Sequence, residues 1–375
     1  MTQHGIVLLL MGPVLPSVIE AFQISESAAG LMLGMGSLGF TLGPMAAGTI
    51  ADRAGARWIL LSGLAAEVIL LGAFGFIPSF LLALFTYLAL SFAAAFVETA
   101  VNVIPALIER QQAGSLMNRV HLFFSIGAFI CPFLAGLILK ATGDWRPVFW
   151  LTALPTALLL LLALRVTFPP LPVGSGALEK PVVPLATLLR DRSILLGALA
   201  LFLYVGAEIG ASNWIVLYLQ RELGFATLVA TSGLSILWIG IMVGRYLNSL
   251  LAKRHSSREL VLWAGIGGLA TCLALLTART PAAAYTWLGM IGLCMSGVYP
   301  NIMAELNGRD PARAGAVTGF LTVAAAAGAM IFQPLLGVVA QWLSLPAAIA
   351  IPGVLMGLLA VAYLGAYEPR PLALK

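Results

Sequence analysis

Apolar stretches long enough to cross a lipid bilayer recur from one end of this chain to the other, and that recurrence leaves few folds open. A span needs about 20 predominantly apolar residues. No water reaches the bilayer core, so each such segment must satisfy its own backbone, and a helix does this. Breaking the 375-residue sequence at clusters of charged residues, Pro and Gly gives twelve candidate helices. They cover residues 3–22, 27–50, 57–77, 79–108, 116–140, 147–167, 193–219, 226–250, 259–278, 282–306, 313–341 and 345–367. Composition agrees: 61% of residues are apolar and 9% charged, where a soluble domain carries about a quarter charged residues. The expected class is an all-α membrane protein with twelve transmembrane helices.

One connector is long. Residues 168–192 are rich in Pro and Gly and carry Glu179, Lys180, Arg190, Asp191 and Arg192. It reads as a cytoplasmic linker between an N-terminal six-helix bundle, 1–167, and a C-terminal six-helix bundle, 193–375. With both termini in the cytoplasm, only Lys140, Arg146, Arg221 and Arg279 of the 20 Lys and Arg fall outside, as the positive-inside rule requires. The formal charge of +5 is spread over loops, so no nucleic-acid partner is expected. Cys131, Cys272 and Cys294 lie in apolar segments without metal-ligand spacing and read as packing residues. The first apolar stretch lacks a preceding basic region and a small-residue cleavage site, so no cleavable signal is expected. It is short for a span, so either polar residues complete the helix or its start is absent.

The two halves echo each other. Gly127, Pro132 and Gly136 in the fifth helix are matched by Gly328, Pro334 and Gly337 in the eleventh, with equal spacing between the outer glycines. Small residues there allow close approach, either for rocking or for static packing. The basic run 253–258 sits in the second half where residues 52–57 sit in the first.

Ionisable groups inside a bilayer are costly, and they face the protein interior by default. Glu67, Glu98 and Glu208 lie well inside predicted spans; Glu20, Glu109 and Glu305 lie near ends. Glu98 has Asn102 one turn later on the same helix face. A carboxylate with an amide below it suits hydroxyl recognition or proton carriage; the alternative is a rigid interhelical hydrogen bond. Around Glu208 stand Tyr204, Asn213 and Trp214, with flanking Gly206 and Gly210 that let the helix break or approach a ligand. Polar groups beside an aromatic ring can grip a sugar, although Trp214 alone equally suits an interfacial belt. Glu67 has no polar neighbour at helical spacing and reads as structural. Asn301 and Gln333 are further cavity candidates. Arg119, His121, Arg245 and Asn248 lie near the cytoplasmic surface, where gating pairs with Glu109 or Glu305 are expected.

The short loop at residues 48–57 carries Gly48, Asp52, Arg53, Gly55 and Arg57. It resembles the G-x-x-x-D-R-x-G-x-R signature between helices 2 and 3 of major facilitator superfamily transporters. The resemblance implies the major facilitator fold, with these five residues in conformational gating. The strings V-E-T-A-V-N on the fourth helix, Y-V-G-A-E-I-G-A-S-N-W on the seventh and S-G-V-Y-P-N-I on the tenth, with residues 118–128, resemble the fucose–galactose–glucose:proton symporters. That likeness implies proton coupling and substrate contact at Glu98 and a sugar contact at Asn102. The family's helix-1 Asp is missing: Gly12 stands there.

The expected function is secondary active transport of a sugar or similar small polar solute, by proton symport through alternating access. The driving force is a proton gradient, without a cofactor, in a monomer of a bacterial-type inner membrane surrounded by lipid. Coupling is expected at Glu98 and Glu208, and substrate contact at Glu98, Asn102, Tyr204, Glu208, Asn213, Trp214, Asn301 and Gln333. The alternatives are a proton-coupled exporter of drugs or sugars and a non-transporting nutrient sensor. No His cluster, Ser–His pair or phosphate-binding loop points to an enzyme.

Overall fold

The computed structural model describes residues 1–108, 115–168, 184–310 and 313–365. Glu109, Lys180 and most of the linker lie outside the described residues, as do the side chains of Asp52, Arg119 and His121. Among the described residues twelve helices have the length and composition of membrane spans.

Two of the twelve are broken. The first span divides into α1 (Thr2–Leu9) and α2 (Met11–Phe22). Pro13 has no N–H for the Leu9 carbonyl, and α1 stops there. Then come α3 (Glu26–Ala54), α4 (Ala56–Phe74), α5 (Phe80–Ile108), α6 (Ser115–Thr142) and α7 (Arg146–Arg165). A short α8 (Leu185–Arg190) precedes α9 (Arg192–Arg221), α10 (Thr227–Leu251) and α11 (Ser257–Leu275). The tenth span, expected to be continuous, divides into α12 (Pro281–Met295) and α13 (Val298–Arg309). Pro300 withholds its N–H from Ser296 in the same way. The chain ends with α14 (Ala314–Trp342) and α15 (Leu345–Gly365).

Caps fix several boundaries. Asp191 accepts from the backbone N–H groups of Ser193 and Ile194 to start α9. Ser256 and Glu259 form a reciprocal capping box on α11. Gly55 turns α3 into α4 with φ of 92°, a conformation that Cβ-bearing residues resist.

Packing separates central from peripheral helices. Of the α9 span 67% is buried, but of α7 only 22%, so α7 lies on the outside. Trp58, Leu154 and Ile266 are among the large apolar side chains left exposed, and in a bilayer lipid covers them. Within the first six spans α3 and α4 pack on α5, α1 on α6, and α4 on α7; within the last six α9 packs on α14 and α15, and α10 and α11 on α12. Contact between the two groups runs through α3–α14, α6–α10 and α2–α9.

The matched glycines divide their work in the same manner. Gly127 receives the Thr2 carbonyl of α1, and Gly328 receives the Phe202 carbonyl of α9, each within its own six spans. Gly136 receives Thr231 of α10, and Gly337 receives the Glu26 carbonyl of α3, each across the divide.

That divide is closed at one end only. Arg221 Nη1 lies 2.7 Å from Glu26 Oε1; the Ser27 N–H donates to Gln341 Oε1 at 3.2 Å; Ser235 Oγ donates to the Phe129 carbonyl at 2.8 Å. Gly30 and Gly34 of α3 lie against Gln333, Pro334 and Met330 of α14. Three helical turns beyond Gly34 on the same face, Met45 is 73% exposed, and two turns back from Met330, Val323 is 63% exposed. The helices have splayed apart, and the protein is open at the end that holds the Gly55 turn.

The Glu26–Arg221 pair is half-exposed, at 24% and 39%, so its contribution is under about 1 kcal/mol. Glu26→Gln is accordingly expected to shift the sealed-to-unsealed ratio only a few-fold. Double electron–electron resonance between labels at Lys140 and Glu222 would register this as a modest gain in the long-distance population.

Candidate functional site

Glu98 stands just past the middle of α5. As the four-residue spacing requires, the Asn102 amide donates to Glu98 Oε1 at 3.1 Å. The other carboxylate oxygen lies 2.7 Å from His4 Nε2; the His4 side chain is 1% exposed and that of Glu98 23%. His4 is held there by backbone packing: Gly5 lies against the Phe124 carbonyl of α6, and the ring of Phe124 sits 6.0 Å from the imidazole. The neighbouring Gln3 ties α1 to α7 by donating to the Thr152 carbonyl at 3.0 Å and to Thr156 Oγ1 at 2.8 Å.

Glu67 of α4 is 1% exposed, and one of its carboxylate oxygens has no hydrogen-bond partner. His4 acts on it electrostatically. The imidazole thus contacts the Glu98 carboxylate of α5, with the Glu67 carboxylate of α4 near enough to feel its charge. Burial of such groups is costly unless charges compensate or a proton neutralises one.

The last six spans bring a second group. The Tyr204 hydroxyl donates to Glu208 Oε1 at 2.7 Å, again one turn apart. Arg245 of α10 acts electrostatically on Glu208 and donates to Ser125 Oγ of α6 at 3.3 Å. Through that hydrogen bond this arginine joins α10 to α6 across the divide. Glu305 does not meet it: Arg309 Nη2 donates to Glu305 at 2.8 Å, and the Tyr363 hydroxyl takes the other oxygen.

Several expected cavity groups are satisfied within the protein in this conformation. Trp214 is fully buried, and its Nε1–H donates to Gln333 Oε1 at 3.0 Å. Asn213 is 9% exposed. Asn301 donates to Asn248 Oδ1 at 3.1 Å. The cluster read around Glu208 does not share one face, because six residues at about 100° each turn Trp214 some 120° away. Gly206 and Gly210 do not break α9, which is continuous; a Cβ on Gly206 would run into the Phe332 ring, so that glycine admits α14. Gln333→Leu leaves a buried indole N–H unpaired, expected to cost about 1–3 kcal/mol. A lowered unfolding temperature in detergent would show it, and an unchanged one would mean the bond is dispensable.

Of residues 48–57, expected as a loop, all but Gly55 lie in α3 or α4, and Arg53, in the last turn of α3, is exposed. Arg57 donates to the Leu164 carbonyl at 3.4 Å and lies 5.9 Å over the Phe168 ring. Gly48 has open space around it.

Sequence reasoning missed His4, Gln3, Ser125 and the Glu26–Arg221 pair. The signal for the first two was a Gln-His dipeptide inside an otherwise apolar first span.

Twelve membrane-length helices among the described residues, with ionisable groups held between spans, define a multi-pass membrane protein. The chain belongs to the Major Facilitator Superfamily, whose family model matches residues 4–325. An uncharacterised MFS-type transporter of Bacillus subtilis, YceJ, is 27% identical over 66% of this chain and 63% of its own length. A Helicobacter pylori protein, provisionally named a glucose/galactose transporter, is 26% identical over 66% of this chain and 63% of its own. The chain thus matches a little under two thirds of these relatives' length. The fold is also that of a bacterial homologue of the human lysosomal transporter Spinster in an inward-facing, occupied conformation, with TM-score 0.83, 15% identity, 97% of this chain and 94% of that one covered.

Proposed function

We propose that the chain moves a sugar or similar small polar solute across the membrane by alternating access, coupled to proton symport with Glu98 as the proton site. The observation that carries this reading is the His4–Glu98–Asn102 group, with His4 buried and Glu98 partly exposed, beside a divide closed at one end only. A carboxylate touching both an imidazole and an amide can exchange a proton and rearrange its hydrogen bonds when solute arrives. Asn102 Oδ1 has no hydrogen-bond partner among the described residues, which supports a role in accepting from a solute hydroxyl. Glu208, Tyr204 and Arg245 supply polar groups from the opposite half, and Glu208 is a second candidate for proton binding.

Trp214, Gln333, Asn213 and Asn301 would join the solute only after rearrangement, since their polar groups now face each other or protein. The gating role of Gly48, Asp52, Arg53, Gly55, Arg57, Arg119 and Arg245 belongs to the same proposal. So do two six-helix units, a monomer, and a bacterial-type inner membrane with both termini cytoplasmic. The name of the Helicobacter relative supports a hexose as the solute.

Proteoliposomes with an imposed pH gradient and a panel of radiolabelled hexoses test the reading. Uptake accelerated by external acid supports it. Solute movement against the proton flow would replace it with the exporter reading, and no movement of any hexose would remove the sugar assignment.

A further inference from the structure

A cavity of about 230 Å³ opens between α10 and α11, floored by α12. Its walls include Leu247, Leu251, Leu260, Trp263 and Leu293, and it touches Asn248 and Ser296. Those two polar side chains have partners: Asn248 accepts from Asn301, and Ser296 donates to the Leu293 carbonyl. What remains for an occupant is apolar, and Leu247, Leu251 and Trp263 are 44%, 41% and 50% exposed.

The cavity lies along the last two turns of α10 and the first turns of α11, where a span meets the headgroup layer. The loop directly beyond carries Lys253, Arg254 and His255, with Arg258 in the first turn of α11, and Lys253 and Arg254 are exposed. His255 packs edge-on against Trp263 with 4.8 Å between ring centroids. The nearby carboxylate, Glu259, is engaged by the Ser256 N–H at 2.8 Å and hydroxyl at 3.1 Å in the α11 cap, and lies 3.8 Å from His255 Nδ1. The rim is net basic, and the wall below it is apolar.

We infer that this groove seats one anionic phospholipid, an acyl chain lying between α10 and α11 and its phosphate against Lys253 and Arg254. The chemistry fits on both counts: hydrocarbon below, positive charge and an interfacial Trp above. A zwitterionic lipid would fill the groove equally but gain less from the rim.

Native mass spectrometry of the full chain, released from micelles containing phosphatidylglycerol or phosphatidylethanolamine, tests the assignment. Phosphatidylglycerol is expected to be retained preferentially. The Lys253→Gln, Arg254→Gln double variant should weaken that retention roughly ten- to thirty-fold, taking about 1 kcal/mol for each charge. Leu247→Trp, which fills the groove without changing charge, should weaken both lipids. Lys140→Gln, elsewhere on the surface, should change neither. Equal retention of the two lipids, or retention of phosphatidylglycerol unchanged in the double variant, would overturn the proposal. So would charge dependence with no effect of Leu247→Trp, because the loop would then hold a headgroup without seating a chain. None of these outcomes depends on whether a sugar is transported.

Discussion

Replacing Glu98 with Gln is expected to abolish gradient-driven uptake, to the level of protein-free liposomes, while solute exchange with no gradient survives. The reason lies in what the substitution keeps. Gln can still accept from the Asn102 amide, now 3.1 Å from Glu98 Oε1, and still fills the space beside His4, whose Nε2 is 2.7 Å away. What it loses is the exchangeable proton. A carrier frozen in the neutral form can bind solute and reorient loaded, but it cannot release a proton and reset. Comparing uptake under a pH gradient with counterflow in the same vesicles separates the two. Loss of both activities would mean that Glu98 holds the helices together rather than carrying a proton. His4→Gln sharpens the comparison. It removes the titratable partner while keeping a hydrogen-bonding group, and is expected to move the pH at which uptake is half-maximal without abolishing counterflow.

The second large effect is expected at the seal. A Cβ on Gly30 would stand 2.8 Å from the Gln333 carbonyl oxygen, and one on Gly337 would run into the Glu26 carbonyl. Backbone cannot yield as a flexible side chain does. Gly337→Val should therefore penalise the sealed state by about 1–3 kcal/mol, as overpacking does elsewhere. That is roughly a five- to hundred-fold shift toward the form open at the Arg221 end. The label pair at Lys140 and Glu222 would report it as a dominant long distance, with transport slowed in proportion. Gly72→Val is the control, because nothing lies within 4 Å of a Cβ there. If Gly337→Val left the distance distribution unchanged, the contact between α3 and α14 would not be the seal.

Much of the fold was legible because a bilayer writes a strong signal. Each span must be apolar and helical, and the breaks between spans are charged or rich in Gly and Pro. The two interrupted spans were harder to see, since Pro13 and Pro300 act four residues upstream of themselves. In the site, local pairs could be read: Glu98 with Asn102 and Tyr204 with Glu208 are both one turn apart. Pairings between distant segments could not. Nothing in the sequence couples residue 4 to residue 98 or residue 26 to residue 221. Trp214 misled for a different reason: closeness in sequence suggested a shared cluster with Glu208, and helical rotation carried the indole to another neighbour.

The seal described above rests backbone carbonyls on glycines and adds two hydrogen bonds and one half-exposed ion pair across the divide. Such a joint stores little free energy. In the proposed cycle such a joint would let the sealed and unsealed shapes lie close together in stability. Under that proposal, occupancy of the interior and the surrounding lipid would each need only a modest force to choose which side of the membrane is offered an opening.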